Sequence, residues 1–298
     1  MIKNNVLKCS VFLAIMVAFV NICIASAQQI TPSAIQKKLA DLEASSGGRI
    51  GLFVINTGDN TRLQYHAKER FPMCSTSKVI AVSAILKQST KDRHLLQHKI
   101  AYTRNDVDLS GYAPITKNHI IDGLTINELC KAAITQSDNA AMNLIMKKLG
   151  GPEAVTSFAH SIGDNKFRLD RYEPELNSAI PGDLRDTTTP KAMAESLNKL
   201  AFGKALEPTQ QDQLLAWLKG NTTGSARISA GVPEGWLVGD KTGTGSYGTT
   251  NDIGIIWPPN ASPFVVAIYF TQNKKDATPR DDVIASVIRI LINSLKTT

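Results

Sequence analysis

A serine and a lysine three residues apart stand at the start of an apolar segment of the 298-residue chain. Ser75 and Lys78 lead into a mostly apolar run, 79–86, which predicts a helix buried on all sides and beginning after Pro72. At this spacing the two side chains share one helical face, so the Lys78 amine can approach the Ser75 hydroxyl. Burial would favour the neutral amine, which accepts a proton. The pair therefore predicts a nucleophilic serine with a base beside it.

The N-terminus of the same helix adds a place for negative charge. Its first backbone N–H groups have no partner within the helix, and the positive end of the helix dipole lies beside them. Such donors suit the anion that forms on an attacked carbonyl group. Ser-x-x-Lys also occurs by chance on surface helices, so this interpretation depends on other motifs in the chain.

Two further polar motifs follow, each with a purely structural alternative. They are Ser137-Asp138-Asn139, between two predicted helices, and Lys241-Thr242-Gly243-Thr244, near the end of a predicted strand. The first can simply cap the second helix. The second begins a formal Gly-x-Gly-x-x-Gly pattern, but a dinucleotide site requires a helix where residues 249–257 predict a strand. We therefore expect the glycines to form a turn and a flat strand.

Ser-x-x-Lys, Ser-Asp-Asn and Lys-Thr-Gly in this order are the motif set of serine beta-lactamases and penicillin-binding proteins. A fourth motif, Glu-Pro-Glu-Leu-Asn at 173–177, matches the omega loop of the class A enzymes. From about residue 30 to the C-terminus the chain resembles a class A serine beta-lactamase. The resemblance implies the serine beta-lactamase/penicillin-binding fold and antibiotic resistance. It also implies hydrolysis of the beta-lactam amide bond of penicillins and cephalosporins through a serine acyl-enzyme.

The resemblance assigns a role to each motif residue. Ser75 would be the nucleophile, and Ser137 would relay a proton to the lactam nitrogen. Glu173 would be the base for a water molecule that Asn177 positions. Either Lys78 or Glu173 would deprotonate Ser75. The backbone N–H groups of Ser75 and Thr244 would form the oxyanion hole, and the implied substrate-binding residues are Tyr112, Asn139, Arg227, Lys241, Thr242, Gly243 and Thr244. No cofactor is implied.

The substrate carboxylate is where the chain departs from the family pattern. Many class A enzymes carry an arginine on the strand after Lys-Thr-Gly, but Thr250 holds that place and Asp281 holds a nearby C-terminal position. Arg227 aligns with a position from which other members supply the arginine from the opposite side of the cleft. A solvated loop arginine is the alternative. Tyr112 matches the aromatic residue at the cleft entrance, or is an ordinary half-buried tyrosine.

The omega loop separates the possible functions. Arg171 is expected to pair with Asp186 across the ends of the loop, and the Glu173-Pro174 bond is a candidate cis peptide. A penicillin-binding DD-peptidase, the alternative enzyme, shares the other motifs but lacks the deacylating glutamate. A beta-lactam sensor domain that stays acylated is the non-enzymatic alternative, and it would normally carry a membrane-spanning signalling segment that the sequence does not predict.

Four cysteines allow a disulfide to be considered. Cys9 and Cys23 lie in the N-terminal segment, so a processed chain would keep Cys74 and Cys130. An exported protein with two cysteines favours a bridge between them. The resemblance argues against it, because the family bridges the position of Cys130 to a cysteine whose place is taken here by Val82. We expect two free thiols.

The first 27 residues predict a secretory signal peptide. Two lysines precede an apolar block at 11–20, and an Ala-x-Ala pattern ends at Ala27. The block is shorter than the roughly 20 apolar residues that a transmembrane helix needs. Lipidation at Cys23 is the minor alternative. We expect a periplasmic or secreted protein, cleaved near Ala27, with no stable membrane anchor.

The formal net charge is +7, or about +5 without the two lysines of the signal segment. The basic residues are scattered and not interleaved with aromatic residues, so nucleic-acid binding is not expected. The charge slightly favours an anionic small substrate. His94 and His98 are four residues apart but lack a third ligand at a suitable spacing, so no metal site is expected. A monomer that binds small-molecule beta-lactams is the expected form.

Two kinds of structure must position these motifs. The predicted strands are 49–56, 62–66, 236–244, 249–257 and 264–271, with predicted helices at 31–42 and from 278 to about 295. Short connections favour an α/β (α+β) fold with a five-stranded antiparallel sheet flanked by helices. Between them, a capping box at 125–128 opens one helix and 140–149 forms another. We predict a discontinuous sheet domain, 28–68 and 219–298, and an inserted all-α domain, 69–218, with the ligand cleft between them.

Overall fold

The structure is a computed structural model that describes residues 33–295, so the predicted signal peptide lies outside the described residues. The helices are α1 (Ser33–Ser46), α2 (Lys78–Ser89), α3 (Arg104–Asp108), α4 (Ile126–Thr135), α5 (Asn139–Leu149), α6 (Pro152–Ser161), α7 (Pro190–Ala201), α8 (Pro208–Lys219), α9 (Ile228–Gly231) and α10 (Asp281–Leu295). The strands are β1 (Gly48–Asn56), β2 (Arg62–Tyr65), β3 (Phe71–Pro72), β4 (Lys99–Ile100), β5 (Leu124–Thr125), β6 (Thr187–Thr188), β7 (Leu237–Gly245), β8 (Thr249–Trp257) and β9 (Phe264–Gln272). Over this range of the chain, every helix is too short or too polar to cross a membrane.

The central sheet has five strands in the order β2-β1-β9-β8-β7, and every neighbouring pair is antiparallel. Strand β9 is buried along almost its whole length. Its continuous apolar sequence fits this position, because a strand covered on both faces has no solvent side to receive polar residues. The predicted five-stranded antiparallel sheet is confirmed.

Helices cover both faces of the sheet. Along β1, Leu52 and Val54 contact the cluster that contains α1 and α10, whereas Phe53 and Ile55 contact the cluster that contains α2. This alternation follows from the two-residue period of a strand. Helix α7 packs on β1 and β9. The hydrophobic cluster that contains α2 extends from the sheet into the helices between β2 and β7. The sheet and these helices therefore share one core.

Helix α2 lies inside this shared core, and Val79, Ile80 and Leu86 are fully buried. Ser75 lies one turn before it, in a 3₁₀ helix (Cys74–Ser77), rather than in the first α-helical turn as predicted. The tighter turn has a local cause. The Thr76 hydroxyl donates to the Met73 carbonyl (2.8 Å) and the Ser77 hydroxyl donates to the Cys74 carbonyl (2.9 Å).

The segment 69–218 is not entirely helical, which corrects the prediction of an all-α domain. Within it β3 pairs with β6 and β4 pairs with β5, each as a short antiparallel ladder. The β3–β6 ladder joins the chain just before Ser75 to the chain just after the omega loop. The bounds of the two predicted domains stay a prediction.

Local signals begin α4 and end α5, the two helices that flank the Ser137-Asp138-Asn139 turn. The predicted capping box is confirmed, since Thr125 and Glu128 each accept from the other's backbone N–H. Helix α5 ends at Gly150, whose φ of +107° is a conformation that favours glycine. Both helices pack on α2, so the turn between them lies beside the nucleophile helix.

Candidate active site

The Ser75 hydroxyl and the Lys78 amine lie side by side, as predicted. Nζ of Lys78 donates to Oγ of Ser75 at 2.9 Å. Both side chains are buried, Lys78 completely. Cys74, directly before the nucleophile, has a φ of +48°. This left-handed backbone is unusual for a residue with a Cβ atom and marks the turn as strained.

A ring of oxygen atoms surrounds the Lys78 amine. Besides Ser75, Nζ donates to the Ser137 carbonyl at 2.8 Å and to Oδ1 of Asn139 at 2.6 Å. Oε1 of Glu173 lies 2.9 Å from the same nitrogen. The Ser137 hydroxyl is 3.4 Å away. Because all of these oxygen atoms can accept hydrogen bonds, they hold the Lys78 amine in one position.

The Ser-Asp-Asn turn caps α5 and also places two polar side chains beside Lys78. Oδ1 of Asp138 caps α5 by accepting from the backbone N–H of Ala141 (2.9 Å), as in the structural alternative. The side chains of Ser137 and Asn139, on either side of it, face Lys78. Ser137 has a φ of +56°, which turns its hydroxyl into the cleft. The cap therefore fixes the two polar side chains.

Glu173 comes from the omega loop and completes the group around Ser75. Its carboxylate is 3.5 Å from the Ser75 hydroxyl and is almost completely buried. Asn177 donates to the other carboxylate oxygen, Oε2, through a very short hydrogen bond. The Glu173-Pro174 bond is cis, as predicted. All five predicted catalytic residues are thus brought together.

Asn143 also holds Glu173, and the sequence analysis missed it. Its Oδ1 accepts from the backbone N–H of Glu173, and its Nδ2 donates to the backbone carbonyl of Glu173, both at 2.9 Å. Asn143 lies four residues after Asn139 on α5 and therefore on the same face. That spacing is the signal that could have identified it.

The ends of the omega loop are joined by the predicted pair. Nε of Arg171 donates to Oδ2 of Asp186 at 2.5 Å. The buried Asp186 carboxylate also accepts from the backbone N–H groups of Asp170 (2.8 Å) and Arg171 (3.0 Å). The backbone carbonyl of Asp186 accepts from the backbone N–H of Met73 at 2.9 Å. The loop is therefore anchored directly to the nucleophile turn.

Strand β7 forms the opposite wall of the site. Nζ of Lys241 donates to Oγ of Ser137 at 3.0 Å and to the Thr242 carbonyl at 2.8 Å. Complete burial, with the charge of Lys78 nearby, lowers the pKa of Lys241 to about 7. Gly243 lies so close to the nucleophile turn that an added Cβ would be 2.7 Å from the Met73 carbonyl. Only glycine allows this approach, which brings the Thr244 backbone beside Ser75.

A model of the beta-lactamase enzyme family matches residues 34–295. The chain belongs to this family. Beta-lactamase CTX-M-97 of Escherichia coli is 55% identical over 259 residues, which are 87% of this chain and 88% of that protein. Beta-lactamase OXY-2 of Klebsiella oxytoca is 52% identical over 296 residues, which are 99% of this chain and 100% of that protein.

Solved beta-lactamase structures share the fold. The crystal structure of a beta-lactamase from Desulfarculus baarsii has a TM-score of 0.86 and 51% identity, covering 88% of this chain and 97% of that one. A variant of the last common ancestor of Gram-negative class A beta-lactamases has a TM-score of 0.85 and 50% identity, covering 89% and 99%. The predicted class A serine beta-lactamase is confirmed, and with it the hydrolase activity.

Arg227 of this beta-lactamase is buried, which excludes the solvated loop arginine. Its Nε donates to Oδ1 of Asp281 at 2.7 Å. The guanidinium also donates to the carbonyls of Gly243 (2.9 Å) and Asn251 (2.7 Å), and to the Thr244 hydroxyl (2.7 Å). The side chain therefore lies behind β7 and reaches the cleft wall at Thr244.

Other predicted features of the beta-lactamase are also located. Tyr112 is 55% exposed, and its carbonyl accepts from the Asn139 backbone N–H at 2.8 Å. This exposure excludes an ordinary half-buried tyrosine, and the role of Tyr112 at the cleft entrance stays a prediction. Cys74 and Cys130 are both free and buried. Burial raises the pKa of both thiols, so neither forms a thiolate readily.

A line of polar side chains on β7, β8 and the loop before α9 was not foreseen. The Thr242 and Thr223 hydroxyls are 2.6 Å apart. The Thr223 hydroxyl donates to Oδ1 of Asn221. Nδ2 of Asn221 donates in turn to Oδ2 of Asp240 at 2.8 Å. Burial raises the pKa of the Asp240 carboxyl and of the neighbouring Asp252 carboxyl.

Proposed function

We propose that Ser75, Lys78, Ser137, Glu173 and Asn177 carry out the hydrolysis of beta-lactams in this enzyme. The observation that carries the proposal is the position of the Glu173 carboxylate, 2.9 Å from Nζ of Lys78 and 3.5 Å from Oγ of Ser75. A base at this point can act on the nucleophile and on a water molecule that later attacks the same carbon. The first step forms an acyl-enzyme and the second releases it.

In acylation, Oγ of Ser75 attacks the lactam carbonyl carbon and the C–N bond of the ring breaks. The serine proton goes to Lys78, or to Glu173 through a water molecule, and both groups are within reach. The negative charge on the carbonyl oxygen is stabilised by the backbone N–H groups of Ser75 and Thr244. The close packing of Gly243 on the nucleophile turn supports this pairing of donors.

Ser137 delivers a proton to the departing lactam nitrogen. Its hydroxyl accepts from Nζ of Lys241 at 3.0 Å, so its own hydrogen stays available for donation. Nζ of Lys78, 3.4 Å away, can replace the lost proton. The proton removed from Ser75 thus reaches the nitrogen through groups that are already hydrogen-bonded.

In deacylation, Glu173 takes a proton from water and the resulting hydroxide attacks the acyl carbon. Oδ1 of Asn177 is buried and has no hydrogen-bond partner among the described residues. A free buried acceptor beside the base suits a water molecule, which donates one hydrogen to Asn177 and one to Glu173. The return of the proton to Ser75 frees the product.

The substrate carboxylate is bound by Lys241, by the hydroxyls of Thr242 and Thr244, and by Arg227 through Thr244. Charged donors bind carboxylates about twice as strongly as neutral ones. Because the guanidinium of Arg227 donates to the Thr244 hydroxyl, that hydroxyl can direct its own hydrogen at the substrate. Asn139 and Tyr112 contact the substrate side chain, Asn139 through its amide group.

The protein is expected to act as a monomer in the periplasm or outside the cell, after cleavage near Ala27. The basic, apolar and small-residue pattern of its first 27 residues supports export. The substrates are penicillins and cephalosporins, and neither the DD-peptidase nor the sensor alternative is supported by the relatives. The sheet part, 28–68 and 219–298, and the inserted part, 69–218, are proposed as its two domains.

The test is the hydrolysis of a chromogenic cephalosporin by the purified chain without residues 1–27. Many turnovers per enzyme are expected, since both half-reactions have their base. Ser75→Ala should abolish them, and Ser83→Ala, which changes a buried serine of α2 whose hydroxyl has no hydrogen-bond partner among the described residues, is the matched control. A single stoichiometric burst would instead indicate a DD-peptidase or a sensor, and a fully active Ser75→Ala enzyme would exclude the assigned nucleophile.

A further inference from the structure

Thr223 lies directly behind Thr242, and their hydroxyl oxygens are 2.6 Å apart. At this distance one of the two hydroxyls must donate to the other. Thr223 is half-buried in the loop before α9, whereas Thr242 is buried in the wall of the active site. The direction of this hydrogen bond therefore decides where the hydrogen of Thr242 points.

A count of hydrogens fixes that direction in the free enzyme. Each threonine hydroxyl has a single hydrogen. Oγ1 of Thr223 also lies 2.9 Å from Oδ1 of Asn221, an atom that only accepts. If Thr223 gives its hydrogen to Asn221, then Thr242 must donate to Thr223. The hydrogen of Thr242 then points away from the substrate.

The orientation of the Asn221 amide is set by its other neighbours. Nδ2 donates to Oδ2 of Asp240 at 2.8 Å, and Oδ1 accepts from the backbone N–H of Thr223 at 3.2 Å. A flipped amide would direct its nitrogen at the backbone N–H group of Thr223, and the hydrogen bond from that group would be lost. Oδ1 therefore stays beside the Thr223 hydroxyl and keeps it as a donor.

We propose that Thr223 is a specificity-determining residue that holds the Thr242 hydrogen away from the cleft until an anionic substrate binds. A carboxylate has no hydrogen to give, so Thr242 must turn and donate to it. Thr223 must then turn as well and donate to Thr242. The contact between the threonines is kept, but Asn221 loses the Thr223 hydroxyl and retains only the backbone N–H. This proposal rests on the assignment of Thr242 to the carboxylate.

The reversal of the Thr223–Thr242 hydrogen bond on binding costs free energy. The carboxylate therefore binds more weakly than its own hydrogen bonds to the enzyme would give. A neutral hydrogen bond is worth about twofold to tenfold in affinity, and one such bond, to Asn221, is lost. In return the bound chain, from Thr223 to Thr242 to carboxylate, is strengthened by about 10–30% per bond, which is the smaller effect. Removal of the Thr223 hydroxyl should therefore tighten the binding of a carboxylate.

The experiment measures dissociation constants by calorimetry in a Ser75→Ala background, which cannot form the acyl-enzyme. The ligands are benzylpenicillin and its methyl ester. Thr223→Val keeps the shape of the side chain but not its hydroxyl, and it should bind benzylpenicillin about two- to threefold more tightly while leaving ester binding unchanged. Thr223→Ser keeps the hydroxyl and should match the background. Thr222→Val is the control in the same loop, because the Thr222 hydroxyl donates to the Thr135 carbonyl instead.

Unchanged or weaker binding of benzylpenicillin by Thr223→Val would overturn the inference, and so would an equal gain for the acid and the ester. A wrong assignment of the carboxylate site would give a result that differs from either of these. If the Ser75→Ala protein itself binds acid and ester equally, the carboxylate site is wrongly assigned.

Neutron diffraction of the deuterated Ser75→Ala protein gives a second, direct measurement. In the free protein, the deuterium on Oγ1 of Thr242 should point at Thr223, and the deuterium of Thr223 at Asn221. With benzylpenicillin bound, both should have turned towards the ligand. A Thr242 deuterium that points into the cleft of the free protein, or that does not move on binding, would overturn the proposal.

Discussion

Lys78 and Glu173 form a completely buried ion pair, with 2.9 Å between Nζ and Oε1. The pair explains how a carboxylate can be kept in a buried site, because an isolated buried charge would be costly. It also joins the two half-reactions, since the group beside the nucleophile contacts the group that activates water. Removal of Glu173 therefore changes the electrostatics of acylation as well as the base of deacylation.

Glu173→Ala should still be acylated but should fail to deacylate. Ser75, Lys78 and the backbone N–H donors remain, while the water loses its base. Mass spectrometry after mixing with a penicillin should show a lasting adduct on Ser75. Glu175→Gln, at an exposed carboxylate of the same loop, should show none. A Glu173→Ala enzyme free of adduct and with near-normal turnover would contradict the assigned role.

Arg171→Ala should slow deacylation more than acylation, because it loosens the loop that carries Glu173. The buried Asp186 carboxylate keeps two backbone N–H donors, so the loss of unfolding free energy should be about 1–3 kcal/mol, less than for a buried charge with no partner. Single-turnover kinetics and thermal melting measure the two effects. Arg168→Ala, which breaks the solvent-exposed pair with Asp170, is the control. Its deacylation rate and melting temperature should stay close to those of the parent enzyme. Equal slowing of both steps would mean that the pair does not specifically support the loop.

Arg227→Ala should reduce kcat/KM on penicillins and cephalosporins by about 1.5–3 kcal/mol of transition-state free energy, the range for hydrogen bonds to charged groups. Esterified substrates should be affected much less. Thr244→Val tests the path of the effect, since it removes the hydroxyl that Arg227 holds. If both variants lose the same preference for acid over ester, Arg227 acts through Thr244. An Arg227→Ala enzyme with unchanged kcat/KM on carboxylate-bearing substrates would leave Lys241 as the carboxylate-binding cation.

Activity on carboxylate-bearing substrates should fall as the pH rises above neutrality. Burial lowers the pKa of Lys241 to about 7, and the ammonium that attracts the carboxylate exists below that value. The fall should not come from unfolding. A lysine with a lowered pKa binds fewer protons in the folded state, so its contribution to stability increases from about pH 7 upwards. Profiles of kcat/KM against pH, with melting temperatures at each pH, separate the two.

Lys241→Arg provides the control for that profile. Arginine stays charged throughout the range, so the decline on the alkaline side should move to higher pH even if overall activity drops. If the decline stays in place, another group must be responsible for it.

The chain without residues 1–27 should contain two free thiols. Both cysteines are buried, so a thiol reagent should react slowly with the folded protein and with two equivalents after unfolding. Reductant should not change the melting temperature. A mass lower by two hydrogens, restored on reduction, would show a bridge between Cys74 and Cys130 and contradict the structure.

Most of the sheet could be predicted because its signals are local. Strand β8 has the predicted bounds, β9 is one residue longer at its C-terminal end, and β7 is shifted by one residue towards the C-terminus. The turns on either side of β8 contain glycine or proline, and β9 is apolar along most of its length, so the ends of these strands are sharp. The capping box at Thr125 was equally local.

The features that were missed depend on contacts between distant segments. Asn143 is an ordinary polar helix residue until the omega loop places Glu173 against it. Arg227 could not be recognised as buried because its partners, Gly243, Asn251 and Asp281, come from three other elements. Thr223 becomes important only when β7 brings Thr242 within 2.6 Å. The spacing of Asn143 from Asn139 could suggest a shared helix face, but a single sequence does not show which distant segment such a residue contacts.

The left-handed backbones of Cys74 and Ser137 give this active site a thermodynamic cost. Each is a non-glycine residue with a positive φ, of +48° and +56°, and each borders the reacting groups. Such residues cost about 1–3 kcal/mol, which the rest of the fold must supply. Ser137→Gly should therefore raise the melting temperature while it lowers turnover. Selection for heat resistance alone would favour substitutions that inactivate the enzyme.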